Sequence, residues 1–280
     1  MIVWLASYPK SGNTLLRSIL TSYFFSHNGD FNFELLNKIG QFPNIEIFNK
    51  LGINTLDENL VFKNLIKAQE LINKEYKNYK FIKTHSAFCK VNGYNFTNLE
   101  NTLGVIYIVR DPRNIVTSFA HHYDLNINEA TNALIDKSRF LVKTSSSPKV
   151  ILGSWNFNFN SWKIFERDKK YLLIKYEDLI YDKKNTILKV FEFIGKLLNQ
   201  NIAVDDNKLK KCIVSTDFKK MKSLEIKETF YEAPLDTKNG GRKPFFKLGP
   251  NNDYKKLLDK KNRDKIEKHF KLEMSELGYI

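Results

Sequence analysis

The sequence predicts an α/β fold: a single domain over residues 1–280, with a central parallel sheet flanked by helices. Short apolar runs of strand length alternate with longer segments of helical periodicity, the order that builds a parallel sheet covered on both faces. The run at 104–109 is apolar throughout, as a central parallel strand buried on both faces must be. No internal repeat, low-complexity tract or linker divides the chain, and its 42% hydrophobic residues suffice for a sizeable core.

The first strand covers 2–7. A turn follows, then a helix from Gly12 to about residue 23 in which Leu15, Leu16, Ile19 and Leu20 share a face. Residues 28–56, rich in Asn and Phe, read as irregular. Leu60, Leu65, Ile66 and Leu71 form one helical stripe. The second strand covers 80–83 and the third 104–109. Asp111 is placed to cap a helix opened by Pro112, whose missing N–H costs nothing at the first helical position. Residues 125–149 read as loop or short helix, and 149–167 as a helix carrying Trp155 and Trp162, both expected in the core. A fourth strand at 171–175 leads into a helix built on Ile187, Leu188, Val190, Phe191 and Ile194, with Gly195 as its expected end. Residues 222–252, with Pro234, Gly240, Gly241, Pro244, Gly249 and Pro250, read as a long loop or lid. A basic amphipathic helix over 253–277 closes the chain.

Composition excludes several classes. Cys89 and Cys212 are too few for a disulfide framework and lack metal-ligand spacing. The apolar start breaks at Tyr8-Pro9-Lys10, too early for a secretory core, and no stretch reaches the roughly 18 apolar residues that span a bilayer. The expected location is the cytoplasm. The net charge of +14, from 45 basic and 31 acidic residues, fits an anionic partner. It equally fits a compositional bias, since Asn, Ile, Phe and Tyr are abundant alongside Lys, so charge alone selects no function.

The chemistry begins at Ser7-Tyr8-Pro9-Lys10-Ser11-Gly12-Asn13-Thr14, directly between the first strand and the first helix. Such a junction offers an anion free backbone N–H groups and the positive end of a helix dipole. Gly12 lets the backbone approach a phosphate, Ser11 and Thr14 add hydroxyls, and Lys10 adds a full charge. Against the nucleoside triphosphate loop G-x-x-x-x-G-K-[ST], Gly12 and Thr14 match, but Asn13 stands at the lysine and Lys10 lies three residues earlier. An ordinary ATP-dependent kinase loop is therefore disfavoured. The second strand runs into Lys83-Thr84-His85, where a lone histidine taken by itself reads more often as structural or solvated than as catalytic. The third runs into Arg110-Asp111-Pro112-Arg113, with Ser118 further along the helix. The Arg110 fork suits a phosphate, or else pairs with Asp111 or Asp178. Tyr176-Glu177-Asp178-Leu179 follows the fourth strand; Tyr176 alone reads equally as a core aromatic.

Together these segments resemble the cytosolic-type sulfotransferases, which use 3′-phosphoadenosine 5′-phosphosulfate (PAPS). The loop at 8–14 resembles the family's 5′-phosphosulfate loop, and Lys83-Thr84-His85 its catalytic-histidine motif. Residues 108–113 with Ser118 resemble its 3′-phosphate motif. Thr216-Asp217-Phe218 with Met221 is similar to its T-x-F-x-x-M segment, and 246–254 to its R-K-G-x-x-G-D-W segment. The resemblance runs from residue 2 to about 279 and implies a P-loop nucleotide-kinase-like sulfotransferase fold. It implies that His85 is the general base, with Lys10 and Lys83 stabilising the reacting groups. The donor is then held by Lys10, Ser11, Gly12, Asn13, Thr14, Arg110, Ser118, Tyr176, Thr216, Phe218, Lys247 and Gly249. It also implies that Ser118 restrains Lys10, that no metal takes part, and that the acceptor is a small alcohol, phenol, amine or lipid rather than nucleic acid.

The departures are local. Ser86-Ala87 replaces the family's Leu-Pro, and Leu15 stands where many relatives place a tryptophan against the adenine. Lys247 replaces an arginine, and Leu248 a lysine, which removes one cation from the 3′-phosphate grip. Two other classes are consistent with parts of the sequence. A P-loop phosphotransferase requires a lysine at position 13. A nucleic-acid-binding protein requires a basic track, whereas Asp259, Asp264, Glu267 and Glu273 interrupt the C-terminal helix.

Overall fold

The computed structural model describes residues 1–76, 78–236 and 240–280. Its strands, in chain order, are β1 (Ile2–Ser7), β2 (Lys80–Thr84), β3 (Lys90–Val91), β4 (Tyr94–Asn95), β5 (Thr102–Val109), β6 (Phe140–Leu141), β7 (Val150–Ile151) and β8 (Tyr171–Lys175). The central sheet is parallel with order β2-β1-β5-β8; β3-β4 and β6-β7 are small antiparallel hairpins.

Its first helices are α1 (Asn13–Phe25), α2 (Ile45–Lys50), α3 (Glu58–Lys63), α4 (Leu65–Glu75), α5 (Pro112–Tyr123), α6 (Ile127–Ile135) and α7 (Trp155–Trp162). After β8 come α8 (Tyr176–Tyr181), α9 (Lys183–Leu198), α10 (Asp206–Ser215), α11 (Phe218–Lys227), α12 (Tyr254–Leu257), α13 (Lys260–His269) and α14 (Lys271–Glu276).

Alternation along the strands divides the core. Ile2, Trp4 and Ala6 of β1 join one apolar cluster, with residues of α4 to α7 and of α13 and α14. Val3 and Leu5 join the other, with residues of α1, α9 and α10. Both faces of β1 are therefore covered, which is why its sequence reads as an unbroken apolar run. Trp155 and Trp162 are fully buried, as expected.

Several elements differ from the sequence reading, each for a local reason. The stripe over 60–71 is two helices, because the Asn64 amide donates to the Leu60 carbonyl and its backbone leaves helical angles. The helix expected from 149 begins at Trp155. Gly153 has φ +64°, Ser154 caps the helix, and Val150–Ile151 pairs instead with Phe140–Leu141. Gly195 does not end its helix: α9 runs on to Leu198 and stops at Asn199, in left-handed conformation. Glycine is needed at 195 because a Cβ there would sit 2.6 Å from the Gln200 carbonyl oxygen. The C-terminal helix is three short ones, with Asp253 and Asp259 acting as separate caps. The segment read as loop from 222 is helical to Lys227, and the polar stretch after residue 125 contains α6, opened by a capping box of Asn126 and Glu129. The stretch 28–56 contains a 3-10 turn (Phe33–Lys38) and α2.

One buried contact set fixes the segment after β2. The Asn158 amide of α7 donates to the carbonyls of His85 and Leu152 (3.0 Å each), and its oxygen accepts from the Tyr107 hydroxyl (2.8 Å). Trp162 Nε1 donates to the Ser86 carbonyl at 3.0 Å. Replacing Asn158 by Ala strands three buried polar groups, so Asn158→Ala should lower the unfolding free energy by about 2–4 kcal/mol in urea titration. A loss under about 1 kcal/mol would show that these bonds do not hold the segment.

Candidate active site

The strands β1, β2, β5 and β8 end at one edge of the sheet. There a cavity of about 460 Å³ opens beneath segments 216–221, 231–232 and 245–252. Its size is in the range of small-ligand sites. Twelve of the residues singled out in the sequence line it: Lys10, Gly12, Asn13, Thr14, Lys83, His85, Ser118, Tyr176, Thr216, Phe218, Lys247 and Gly249. Ser11 and Arg110 lie just behind the wall. Arg110 donates to the Lys10 carbonyl at 3.1 Å, and its guanidinium lies 4.1 Å from the centre of the Tyr176 ring.

The loop between β1 and α1 takes the shape an anion cradle requires. Lys10 has φ +68° and Gly12 φ +102°, so the chain turns tightly before the open N–H groups at the start of α1. A Cβ at Gly12 would stand 2.5 Å from the Tyr176 ring, so only glycine lets loop and ring meet. Ser11 Oγ and Arg110 Nε are buried and have no hydrogen-bond partner. Unsatisfied buried groups are uncommon in native proteins, and two beside one loop mark a place where a ligand's acceptors fit.

Arg110 forms no ion pair among the described residues. Its neighbour Arg113 holds Asp111 instead, at 2.7 Å, and Glu267 at 2.6 Å. The pairing with Asp111 open to Arg110 in the sequence is thereby taken by Arg113.

Three expected residues are placed differently from their expected use. The Asn13 amide turns inward, donating to the Leu5 carbonyl (2.8 Å) and Ser7 Oγ (3.2 Å), so the side chain ties the loop to β1 rather than reaching into the cavity. The Thr216 hydroxyl donates back into α10, to the Cys212 carbonyl at 2.6 Å. The restraint expected from Ser118 on Lys10 is not made. Lys10 Nζ lies instead 3.4 Å from His122 Nδ1 and 3.9 Å from the centre of the Phe245 ring.

Segment 246–254 docks on α5 beside Ser118. The Thr117 hydroxyl donates to Asn252 Oδ1 (2.6 Å), and the Asn252 amide donates to the Asn114 carbonyl (2.7 Å). His121 Nε2 donates to the Pro244 carbonyl, which leaves Nδ1 to accept from Lys247 Nζ at 3.3 Å. Gly249, at φ +54°, lies against Phe218; a Cβ there would sit 2.2 Å from the ring.

At the other end of the cavity His85 Nδ1 lies 2.8 Å from the Ser7 carbonyl oxygen. A carbonyl only accepts, so Nδ1 carries the proton and Nε2 keeps the lone pair. Burial, reinforced by the Lys83 charge, pushes the imidazole down to about 3, so it is neutral at ordinary pH. Lys10 is pushed down to about 7, by burial first and then by Arg110 and Lys83. His122 is pushed down to about 3 by burial and then by Lys10.

Glu232, which the sequence reading missed, joins this group. Its carboxylate accepts from Arg17 Nη1 (2.5 Å), Lys83 Nζ (3.2 Å) and the Thr14 hydroxyl (3.3 Å). Burial opposes its ionisation, but Arg17 and Lys83 outweigh that and hold it well below the usual carboxylate range. The available signal was Arg17, a charge on a helix that is otherwise buried; nothing in the surrounding loop sequence marked Glu232 as its partner. Among the described residues no three His, Cys, Asp or Glu side chains converge to hold a metal ion, and no helix is long and apolar enough to cross a membrane.

Comparison with known proteins identifies the family of the chain. The sulfotransferase domain family model matches residues 2–278. Flavonol 3-sulfotransferase of Flaveria bidentis is 24% identical over 99% of this chain and 83% of its own, and sulfotransferase 1E1 of Bos taurus is 23% identical over 96% and 82%. The fold is that of mouse sulfotransferase SULT7A1 complexed with PAP (TM-score 0.63, 21% identity, 97% of this chain and 83% of that one). It is also that of retinol dehydratase in a complex with retinol and PAP (TM-score 0.60, 18% identity, 98% and 81%). With the family model matching nearly its whole length, this chain belongs to the sulfotransferase domain family.

Proposed function

We propose that this sulfotransferase moves the sulfuryl group of PAPS to a hydroxyl or amine of a small acceptor, with His85 as general base and without a metal ion. The observation that carries the reading is His85. Its Nδ1–H is tied to the Ser7 carbonyl, so Nε2 is the basic nitrogen, in the same cavity as the phosphate loop and Lys83. PAPS supplies an activated sulfur–oxygen bond. The acceptor oxygen or nitrogen bonds to sulfur, the bond from sulfur to the 5′-phosphate oxygen breaks, and the acceptor proton passes to His85 Nε2. The products are the sulfated acceptor and 3′-phosphoadenosine 5′-phosphate (PAP), the group found in the related mouse sulfotransferase structure. Lys10 and Lys83 offset the charge that grows on the leaving phosphate and on the sulfonate oxygens. The 3′-phosphate is assigned to Arg110, Ser118 and Lys247, and the adenine to Tyr176 and Phe218. Ser11, Gly12, Thr14 and Gly249 shape the cradle, Thr216 contributes packing only, and Asn13 acts through the loop backbone.

On the acceptor side Tyr123, Leu141, Val142 and Val150 supply an apolar wall, and Gln41, Thr144, Ser146 and Ser147 add polar groups. This supports a small alcohol, phenol or amine with an apolar body, a class that includes the flavonols named in one relative. Both cysteines are free, in keeping with a cytoplasmic setting.

The direct test is transfer of label from [35S]PAPS to a panel of phenols, alcohols and amines in the presence of EDTA. Labelled product should form, and His85→Ala should lower kcat by on the order of 10²-fold or more. A requirement for added Mg²⁺, or an His85→Ala kcat within a few-fold of wild type, would contradict the mechanism.

Lys10 gives a pH signature. In the free protein it loses its proton near pH 7, and an anion beside it raises that value, so bound PAP favours protonated Lys10. The contribution is full below pH 7 and is lost as pH rises through the higher bound value. PAP affinity should fall between pH 7 and 9, by up to about tenfold per pH unit, and Lys10→Met should bind more weakly with a flat profile. An affinity that is constant over this range with Lys10 present would remove Lys10 from the phosphate site.

A further inference from the structure

We propose that the Glu232 carboxylate occupies the oxyanion position that the donor's phosphosulfate requires, so that Glu232 competes with the donor and donor capture moves segment 228–236. The inference rests on the PAPS reading above. Under that reading Thr14 and Lys83 grip the donor's 5′-phosphate and sulfonate oxygens. In the structure both already hold an oxyanion of the protein itself: Glu232 Oε2 accepts from Thr14 Oγ1 at 3.3 Å and from Lys83 Nζ at 3.2 Å. Among the described residues these are the hydrogen bonds that Thr14 Oγ1 and Lys83 Nζ make. A carboxylate and a phosphate present similar oxygens to the same N–H and O–H donors, so one can stand in for the other.

Electrostatics explains why the place is filled. Lys10, Lys83 and Arg17 crowd the end of β1 and β2 beside the neutral His85, and Glu232 acts on Lys10 and Lys83 as the opposing charge. Without an anion these cations repel one another in a poorly solvated site. With a donor present, an ionised carboxylate a few ångströms from phosphate and sulfonate oxygens is repelled in turn.

The segment that carries Glu232 packs outside the two cores on the sheet. Phe230 and Ala233 belong to a small cluster with Phe33, Leu36 and Met221, separate from the two cores on the sheet. Tyr231 is 77% exposed. Arg17 retains acceptors when Glu232 departs, because its Nη2 donates to the carbonyls of Leu36 (3.2 Å) and Ile39 (2.8 Å). Movement of the segment therefore frees Thr14 and Lys83 for the donor, while Arg17 keeps its two carbonyl partners and gives up its carboxylate.

The opposing reading is that Glu232 is a permanent counter-ion of Arg17 and stays in place when the donor binds. Calorimetric titration of PAP into wild type and Glu232→Gln at pH 7 separates the two, alongside amide hydrogen exchange of wild type over 228–236 with and without PAP. Competition predicts that Glu232→Gln binds PAP about tenfold tighter or more, and that PAP speeds exchange in 228–236. Equal or weaker PAP binding by Glu232→Gln overturns the proposal. So does unchanged or slower exchange in the wild type, a readout that does not depend on how the variant folds. Absence of PAP binding to wild type would overturn the PAPS reading, and this inference with it.

Discussion

The parallel register of β1 between β2 and β5 places Ala6 beside Thr84 and Ser7 beside Ile108. Three chain segments must then leave the sheet at the same point: the loop 8–12 from β1, His85 from β2 and Arg110 from β5. Everything in the site follows from this convergence. It lets the Ser7 carbonyl accept from His85 and the Lys10 carbonyl accept from Arg110, so one strand end orients both the imidazole and the guanidinium. Asn13 strengthens the arrangement by tying the loop back to Leu5 and Ser7. Where a nucleoside triphosphate loop sends a lysine toward its ligand, this chain uses a staple, and the cation comes from Lys10 at a left-handed position before the glycine.

Convergence also concentrates positive charge. Burial and mutual repulsion push Lys10 and His85 below their ordinary values, while Glu232 opposes that effect. His85 is therefore neutral, and Lys10 is poised to gain its full charge when an anion arrives. The same electrostatics links the two ends of the chain, since an acid from segment 228–236 balances cations from α1 and β2.

The central strands were legible because burial on both faces leaves an apolar run, and α5 because Asp111 and Pro112 are local signals. Helix ends were less legible, since they depend on tertiary contacts. Gly195 continues a helix because the Gln200 carbonyl comes close, and Asn64 breaks one by bonding a carbonyl four residues back. In the site, motif order located twelve of the cavity-lining residues. Motif identity did not reveal which way a side chain turns, as Asn13 and Thr216 show, nor that Arg113 rather than Arg110 would take Asp111. Glu232 escaped notice because its role arises from contacts across more than a hundred residues, with no local pattern to announce it.

The central claim is that the cavity is a site for a nucleotide carrying a 3′-phosphate. Titrating the protein with PAP, ATP and 5′-AMP by calorimetry, without metal, tests it most directly, with Arg110→Ala as the control. The account predicts micromolar binding of PAP, far weaker binding of ATP and 5′-AMP, and loss of that preference in Arg110→Ala. Equal affinity for the three nucleotides, or an unchanged preference in Arg110→Ala, would contradict it.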